Sequence, residues 1–174
     1  VQYTKNDWRN RNKIISNKQV SWLTIPVRQE SLGQSIRETK IANANWSKKH
    51  WRTIQQSYSK TPYFGAFSEQ IESIYGSFSD EIFLSSINTK LIVGLCEILG
   101  IQTKIIQDEV FDLPDNRIDK LIEICIQTDA KTYVSGPAAK SYLDVQKFQD
   151  AGIQVEWIQY DNYSPYKQNS DQFD

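Results

Sequence analysis

Between residues 101 and 160 short apolar runs alternate with stretches of helical periodicity, and this alternation restricts the fold more than any other feature of the chain. IQTKII (101–106) reads as a strand, and residues 116–127 repeat apolar side chains at 118, 121, 122, 125 and 126, the spacing of a helix. KTYVS (131–135) is again strand-like, residues 138–144, extended to 150, read as a helix, and Gly152 precedes the strand IQVEWIQY at 153–160. Strand, helix, strand, helix, strand at this spacing predicts an α/β fold with a mainly parallel sheet, right-handed crossovers and flanking helices. No internal repeat or low-complexity segment interrupts it.

The N-terminal part reads differently, as strands and a hairpin. SWLTIPV (21–27) is a strand closed by Pro26, Ser16-Asn17-Lys18 is a turn, and DWRNRNKII forms the other arm. Period-2 alternation there puts Trp8, Asn10 and Asn12 on one side and Arg9, Arg11 and Lys13 on the other, a cationic face. Polar residues around Gly33 suggest a mobile loop. From Asn45, expected to cap with its side chain, the period becomes helical, with Trp46, His50, Ile54 and Tyr58 at steps of four and Pro62 as the stop. A second helix is expected at 66–75 and a third from near Asn88 to Gly100. After Tyr160 the chain turns polar and reads as irregular.

Twenty-one aromatic residues and 39% hydrophobic content exclude a disordered or collagen-like chain. There is no run of about 18 apolar residues and no apolar segment at the start, so neither a membrane span nor a secretory signal is expected, and a cytoplasmic location follows as the default. Cys96 and Cys125 lie in apolar surroundings and read as core thiols, without the spacing of a disulfide framework or a zinc site. The chain begins at Val1 and contains no Met, which reads as an incomplete or processed chain.

The net charge of −1 conceals a division: residues 1–60 carry twelve Lys/Arg against three acids, the remainder eight against eighteen. A basic half interleaved with Trp8, Trp22, Trp46 and Trp51 suits an anionic ligand with a flat group, nucleic acid or a nucleotide-linked metabolite, and equally a solvated basic surface. His50, the single histidine, follows Lys48 and Lys49, whose charges would hold it neutral near pH 7 as a general base needs; the same helical face also suits a core histidine. In SGPAAK (135–140), Ser135 is placed to cap a helix and Gly136 to admit a ligand near free amides, with Lys140 at hand for a phosphate or carboxylate; a capped helix without a ligand fits too. Arg9 and Arg11 suit a diphosphate or carboxylate and Asn10 and Asn12 a sugar or amide. Asp108, Glu109, Asp112 and Asp115 read as a solvated loop rather than a metal site, and no cofactor is indicated.

Five stretches, VQYTKNDWRNRN, SWLTIPV, NWSKKHWRTIQQSYSKTPYF, SGPAAKSYLD and AGIQVEW, occur in the order found in the WbqC-like family of bacterial proteins, which the chain resembles from Val1 to about Trp157. The resemblance implies a single domain over 1–174, a role in O-antigen and other surface-polysaccharide biosynthesis, and a transferase that moves an acyl or aminoacyl group onto the amine of a nucleotide-activated amino sugar. Its partners would be that nucleotide-linked sugar and an activated acyl or aminoacyl donor, with nucleic acid disfavoured. Carried over by position, it points to Asp7, Trp8, Arg9, Asn10, Arg11 and Asn12, to Lys49, His50 and Trp51, and to Ser135, Gly136, Pro137 and Lys140, with His50 as the catalytic base and Trp8, Arg9, Asn10, Arg11, Asn12, Lys49, Trp51, Ser135, Gly136 and Lys140 binding substrate. Family members usually start further upstream with an apolar strand leading into a QPYFFPY-like segment, and carry an apolar helix after the last strand; both are missing here. The alternative class is a non-catalytic module binding nucleic acid or an anionic polysaccharide, against which the acidic second half counts.

Overall fold

The computed structural model describes residues 2–5 and 8–161. The chain divides between Lys104 and Ile105 into two compact units. In the first, β1 (Arg11–Ser16) and β2 (Gln19–Thr24) form an antiparallel hairpin with Arg11 opposite Thr24 and Lys13 opposite Trp22. Its turn holds Asn17 and Lys18 at φ 52° and 62°, the left-handed pair of a type I′ turn, whose twist matches that of the strands. β3 (Val27–Arg28) and β4 (Lys40–Ile41) make a second antiparallel pair. Between them Gln34 is buried, donating to Thr39 Oγ1 at 3.0 Å and accepting from the Glu30 amide at 2.8 Å, so the loop around Gly33 is internally hydrogen-bonded.

Three helices follow: α1 (Trp46–Tyr58), α2 (Phe64–Gly76) and α3 (Leu84–Ile98). Their apolar faces meet the β3–β4 region in a core of Tyr3, Ile25, Ile41, Trp46, Phe78, Leu84 and Ile87. α2 and α3 approach closely at Gly94, where an added Cβ would lie 2.7 Å from Ile74 Cδ1. α1 grips the hairpin through two side chains: His50 Nε2–H donates to the Thr24 carbonyl at 3.0 Å, and the Ile15 amide donates to the Tyr58 hydroxyl at 2.9 Å.

The second unit contains α4 (Arg117–Gln127), β5 (Thr132–Ser135), α5 (Val145–Asp150) and β6 (Gln154–Trp157). Asn116 caps α4 by accepting from the amides of Ile118 and Asp119. β5 and β6 pair in parallel, Thr132 beside Gln154 and Ser135 beside Trp157. Tyr133, Val155 and Trp157 on one sheet face pack on the buried Cys125, Leu143, Phe148 and Ile153, while Thr132, Val134, Gln154 and Glu156 on the other are exposed.

The α/β class and the N-terminal strands stand, but the mainly parallel sheet is corrected. Of the three two-stranded sheets among the described residues, β1–β2 and β3–β4 are antiparallel and β5–β6 is parallel. The two-residue turn at Asn17 and Lys18 imposes antiparallel pairing on β1 and β2, and residues 29–39, which hold no helix, return β4 antiparallel to β3, whereas β5 and β6 are joined through the helical segment that contains α5. The strand expected at 101–106 is absent: those residues are irregular and exposed, with no ladder to join. The helix expected over 138–150 is two pieces, a 3-10 turn (Pro137–Ser141) and α5, because Asp144 leaves helical geometry to accept from the Lys147 amide as α5's cap. α3 begins at Leu84, four residues before Asn88, since Leu84 and Ile87 extend its buried face. Asn45 occupies the cap position of α1 but makes no side-chain cap bond. Asp7 and the tail from 162 onward lie outside the described residues.

Candidate functional site

The hairpin register brings cations and indoles together. Arg11 and Lys13 lie on one face of β1, and Trp22, opposite Lys13, lies between them: the Arg11 guanidinium carbon is 4.5 Å and Lys13 Nζ 5.7 Å from its ring centroid. Just upstream, in a 3-10 turn (Trp8–Asn10), Arg9 sits 5.2 Å from the centroid of Trp8, which is 75% exposed. Such contacts are worth about 0.5–1 kcal/mol at exposed sites and more where desolvated; Lys13 is exposed, whereas Arg9 and Arg11 are half-buried with their Nε atoms shielded from solvent. The result is a cationic face with exposed aromatic surface, half of Trp22 included.

The alternation expected from residue 8 begins only at Arg11, because Trp8, Arg9 and Asn10 are in the 3-10 turn. Asn10 is therefore not beside Asn12 on a sugar-facing surface. It is buried, donates from Nδ2 to the Ile25 carbonyl at 2.9 Å, and accepts the Ile25 amide on its own carbonyl at 2.8 Å. Asn12 is exposed on β1, and its Oδ1 accepts the Lys13 amide.

His50 is 8% exposed, edge-on to Trp46 at 5.0 Å and to Tyr75 at 6.1 Å. A carbonyl only accepts, so the bond to Thr24 fixes the proton on Nε2 and leaves Nδ1 as the basic nitrogen. Burial pushes the imidazole below its ordinary range, opposed by that bond; the neutral state expected from Lys48 and Lys49 is reached through desolvation instead. Burial likewise pushes the neighbouring Tyr75 phenol up to about 12. Since Thr24 is the register partner of Arg11, His50 joins α1 to the strand end where the cationic face begins.

Lys49 is exposed on α1. Trp51 is buried, stacked on Phe64 with centroids 6.0 Å apart, and its Nε1–H donates to Glu72 Oε1 at 2.9 Å. Behind the hairpin, Ile14, Ile54, Tyr58, Phe64, Ile71 and Leu91 line part of an apolar groove of about 380 Å³.

Ser135, Gly136 and Lys140 belong to the second unit. The cap position falls on Gly136, not Ser135, and carries no side-chain cap bond; the Ser135 carbonyl accepts the Ile158 amide and the Gly136 carbonyl that of Ala139. At Gly136 a Cβ would meet open space. Lys140 extends its Nζ to 5.6 Å from the Trp157 centroid. Among the described residues, no group of three or more His, Cys, Asp or Glu is arranged to hold a metal ion, and no helix is long and apolar enough to cross a membrane.

Two participants were not singled out in the sequence: Glu72, the partner of Trp51, and Trp22 as the ring the β1 cations embrace. The charge pattern of β1 with the turn at 17–18 carried a signal for Trp22; a lone Glu on an amphipathic helix carried none for Glu72.

Residues 1–174 match the model of a family described as the WbqC-like protein family. The chain is also similar to the Uncharacterized protein Rv1507c of Mycobacterium tuberculosis, 38% identical over 169 residues that cover 97% of this chain and 73% of that protein. No solved structure matches it.

Proposed function

The chain belongs to the WbqC-like protein family, and from that premise we propose that it acts in bacterial surface-polysaccharide biosynthesis, on a nucleotide-activated amino sugar, as an acyl or aminoacyl transferase. The observation that carries this reading is the cationic face of the hairpin, where Arg11 and Lys13 flank a half-exposed Trp22. Guanidinium and ammonium groups beside an indole match a ligand that joins a diphosphate to a flat base. The amine of the sugar attacks the activated carbonyl carbon, a C–N bond forms, and the donor's leaving group departs with its electron pair. The amine proton passes to His50 through Nδ1, since Nε2–H is held by Thr24.

The test is a thermal-shift screen of nucleotide amino sugars with wild type, Arg11→Ala and Trp22→Leu. A true ligand at 100 times its Kd stabilises the native state by about 2.7 kcal/mol, and either substitution weakens it at least tenfold. Turnover is then followed with the ligand found, where His50→Ala lowers kcat far more than affinity. No shift with any nucleotide sugar, accompanied by oligonucleotide binding that falls steeply with salt, refutes the reading and favours a polymer-binding module.

A further inference from the structure

His50 is held by a single peptide group. The Thr24 carbonyl that takes its Nε2 proton at 3.0 Å belongs to the same planar unit as the Ile25 amide, and that amide donates to the Asn10 backbone carbonyl at 2.8 Å. The next carbonyl along the chain, that of Ile25, accepts from Asn10 Nδ2 at 2.9 Å. In a continuing antiparallel ladder the Asn10 amide would be the donor to that carbonyl; with Asn10 in the 3-10 turn, its side chain is the donor instead. One residue thus clips both backbone polar groups of Ile25, and the plane carrying the Thr24 carbonyl cannot rotate away from α1 without breaking the clip.

Two observations set this amide apart from ordinary core packing. Asn10 is only 6% exposed, yet its Oδ1 has no hydrogen-bond partner among the described residues, a desolvation cost that an apolar side chain would not carry. Stability alone does not account for an amide at this place. The aromatic neighbours of His50 do not substitute for it either. Trp46 and Tyr75 meet the imidazole with centroids 5.0 and 6.1 Å away and hold the ring in position, but such ring contacts do not decide which nitrogen bears the proton, whereas a carbonyl does.

We infer that Asn10 is a positioning residue for His50: by clipping Ile25 it aims the Thr24 carbonyl at Nε2 and so keeps Nδ1 as the nitrogen that takes a proton. This role replaces the substrate contact expected of Asn10 from the sequence, and it rests on the reading of His50 as the base of the proposed reaction. It also ties the base to the ligand face. Arg9 and Arg11 flank Asn10 in the chain, and the turn that carries them is pinned on its other side by Asn88 of α3, whose Nδ2 donates to the Arg9 carbonyl at 3.0 Å.

The test reads the ring nitrogens of His50, the chain's only histidine, in long-range proton–nitrogen correlation spectra of the intact chain at about pH 8, above the ordinary imidazole range. Wild type shows the Nε2–H tautomer. Asn10→Ala, and Asn10→Leu, which removes the donor without leaving a void, each raise the Nδ1–H form about tenfold, the change that goes with about 1.4 kcal/mol. Asn88→Ala removes a neighbouring bond of the same turn and leaves the tautomer as it is. A wild-type ring protonated on Nδ1, an unaltered ratio in a folded Asn10 variant, or an equal change in Asn88→Ala overturns the assignment. If neither Asn10 variant folds, hydrogen exchange in wild type decides: His50 Nε2–H and the Ile25 amide, bound through one peptide, exchange together, and a ring proton that exchanges while the Ile25 amide stays protected overturns the role. No substrate enters these measurements, so a chain that binds no nucleotide sugar but changes tautomer in Asn10→Ala loses the proposed function alone.

Discussion

His50 makes the chain's stability depend on pH in a window no other side chain of ordinary pKa occupies, because it is the only histidine. Unfolded, it titrates near 6.5; folded, burial holds it below that value. Between the two values the unfolded chain binds a proton that the folded chain refuses, so the stabilisation is complete above about pH 6.5 and is lost as pH falls toward the folded value. Within that window the slope reaches at most about 1.4 kcal/mol per pH unit. His50→Phe keeps a ring beside Trp46 but deletes the donor to Thr24, leaving a carbonyl unpaired at a cost of about 1–3 kcal/mol. The assay is urea unfolding followed by tryptophan fluorescence at steps from about pH 8 to pH 5, wild type against variant. Glu38 and Asp129, both held below the usual carboxylate range, change charge at lower pH and do so in both proteins. The variant is expected to be less stable at pH 8 and flatter between about pH 7 and 5. Equal slopes in the two proteins would refute a neutral, buried His50.

Gly94→Ala gains about 1 kcal/mol of helix propensity but drives a Cβ to within 2.7 Å of Ile74 Cδ1 and 2.8 Å of its Cγ1; because Ile74 is packed on the core, a net loss of about 1 kcal/mol is expected by thermal denaturation, and a raised Tm would refute it. Phe148→Ala empties a fully buried position against Tyr133 and should cost about 3–5 kcal/mol, read in urea as loss of the Trp157 environment. Lys18→Gly relieves a left-handed φ of 62° and should stabilise by about 0.5–1 kcal/mol, seen as a higher urea midpoint with unchanged slope.

Long, strongly periodic elements were legible in the sequence. The start of α1 at Trp46 and the extent of α4 follow from apolar spacing, because burying a stripe of a helix needs no knowledge of what lies opposite. A strand has no such independence. IQTKII is as rich in β-branched residues as a strand requires, yet Ile101, Ile105 and Ile106 are exposed and unladdered, since a strand exists only where a partner supplies hydrogen bonds. The same locality governs the candidate site. Period two placed Arg11 and Lys13 on one face, but their contact with Trp22 depends on register, which the turn at Asn17 and Lys18 decides. Asn10 reads as a surface amide but its bonds to Ile25 place it inside, and His50, read as a base kept neutral by Lys48 and Lys49 or as a core histidine, is buried with its Nε2 proton on the Thr24 carbonyl.

Eight residues, or about 12 Å of helix, separate His50 from Tyr58, and with these two side chains α1 supplies the hairpin with the support a third strand would give. A two-stranded ribbon on its own is marginal in water, so fluctuations that loosen the ribbon and those that fray the helix belong to one cooperative opening. A ligand seated on Trp22, as proposed, would therefore slow amide exchange along α1, at positions the ligand never touches, and the helix would report what the ribbon holds.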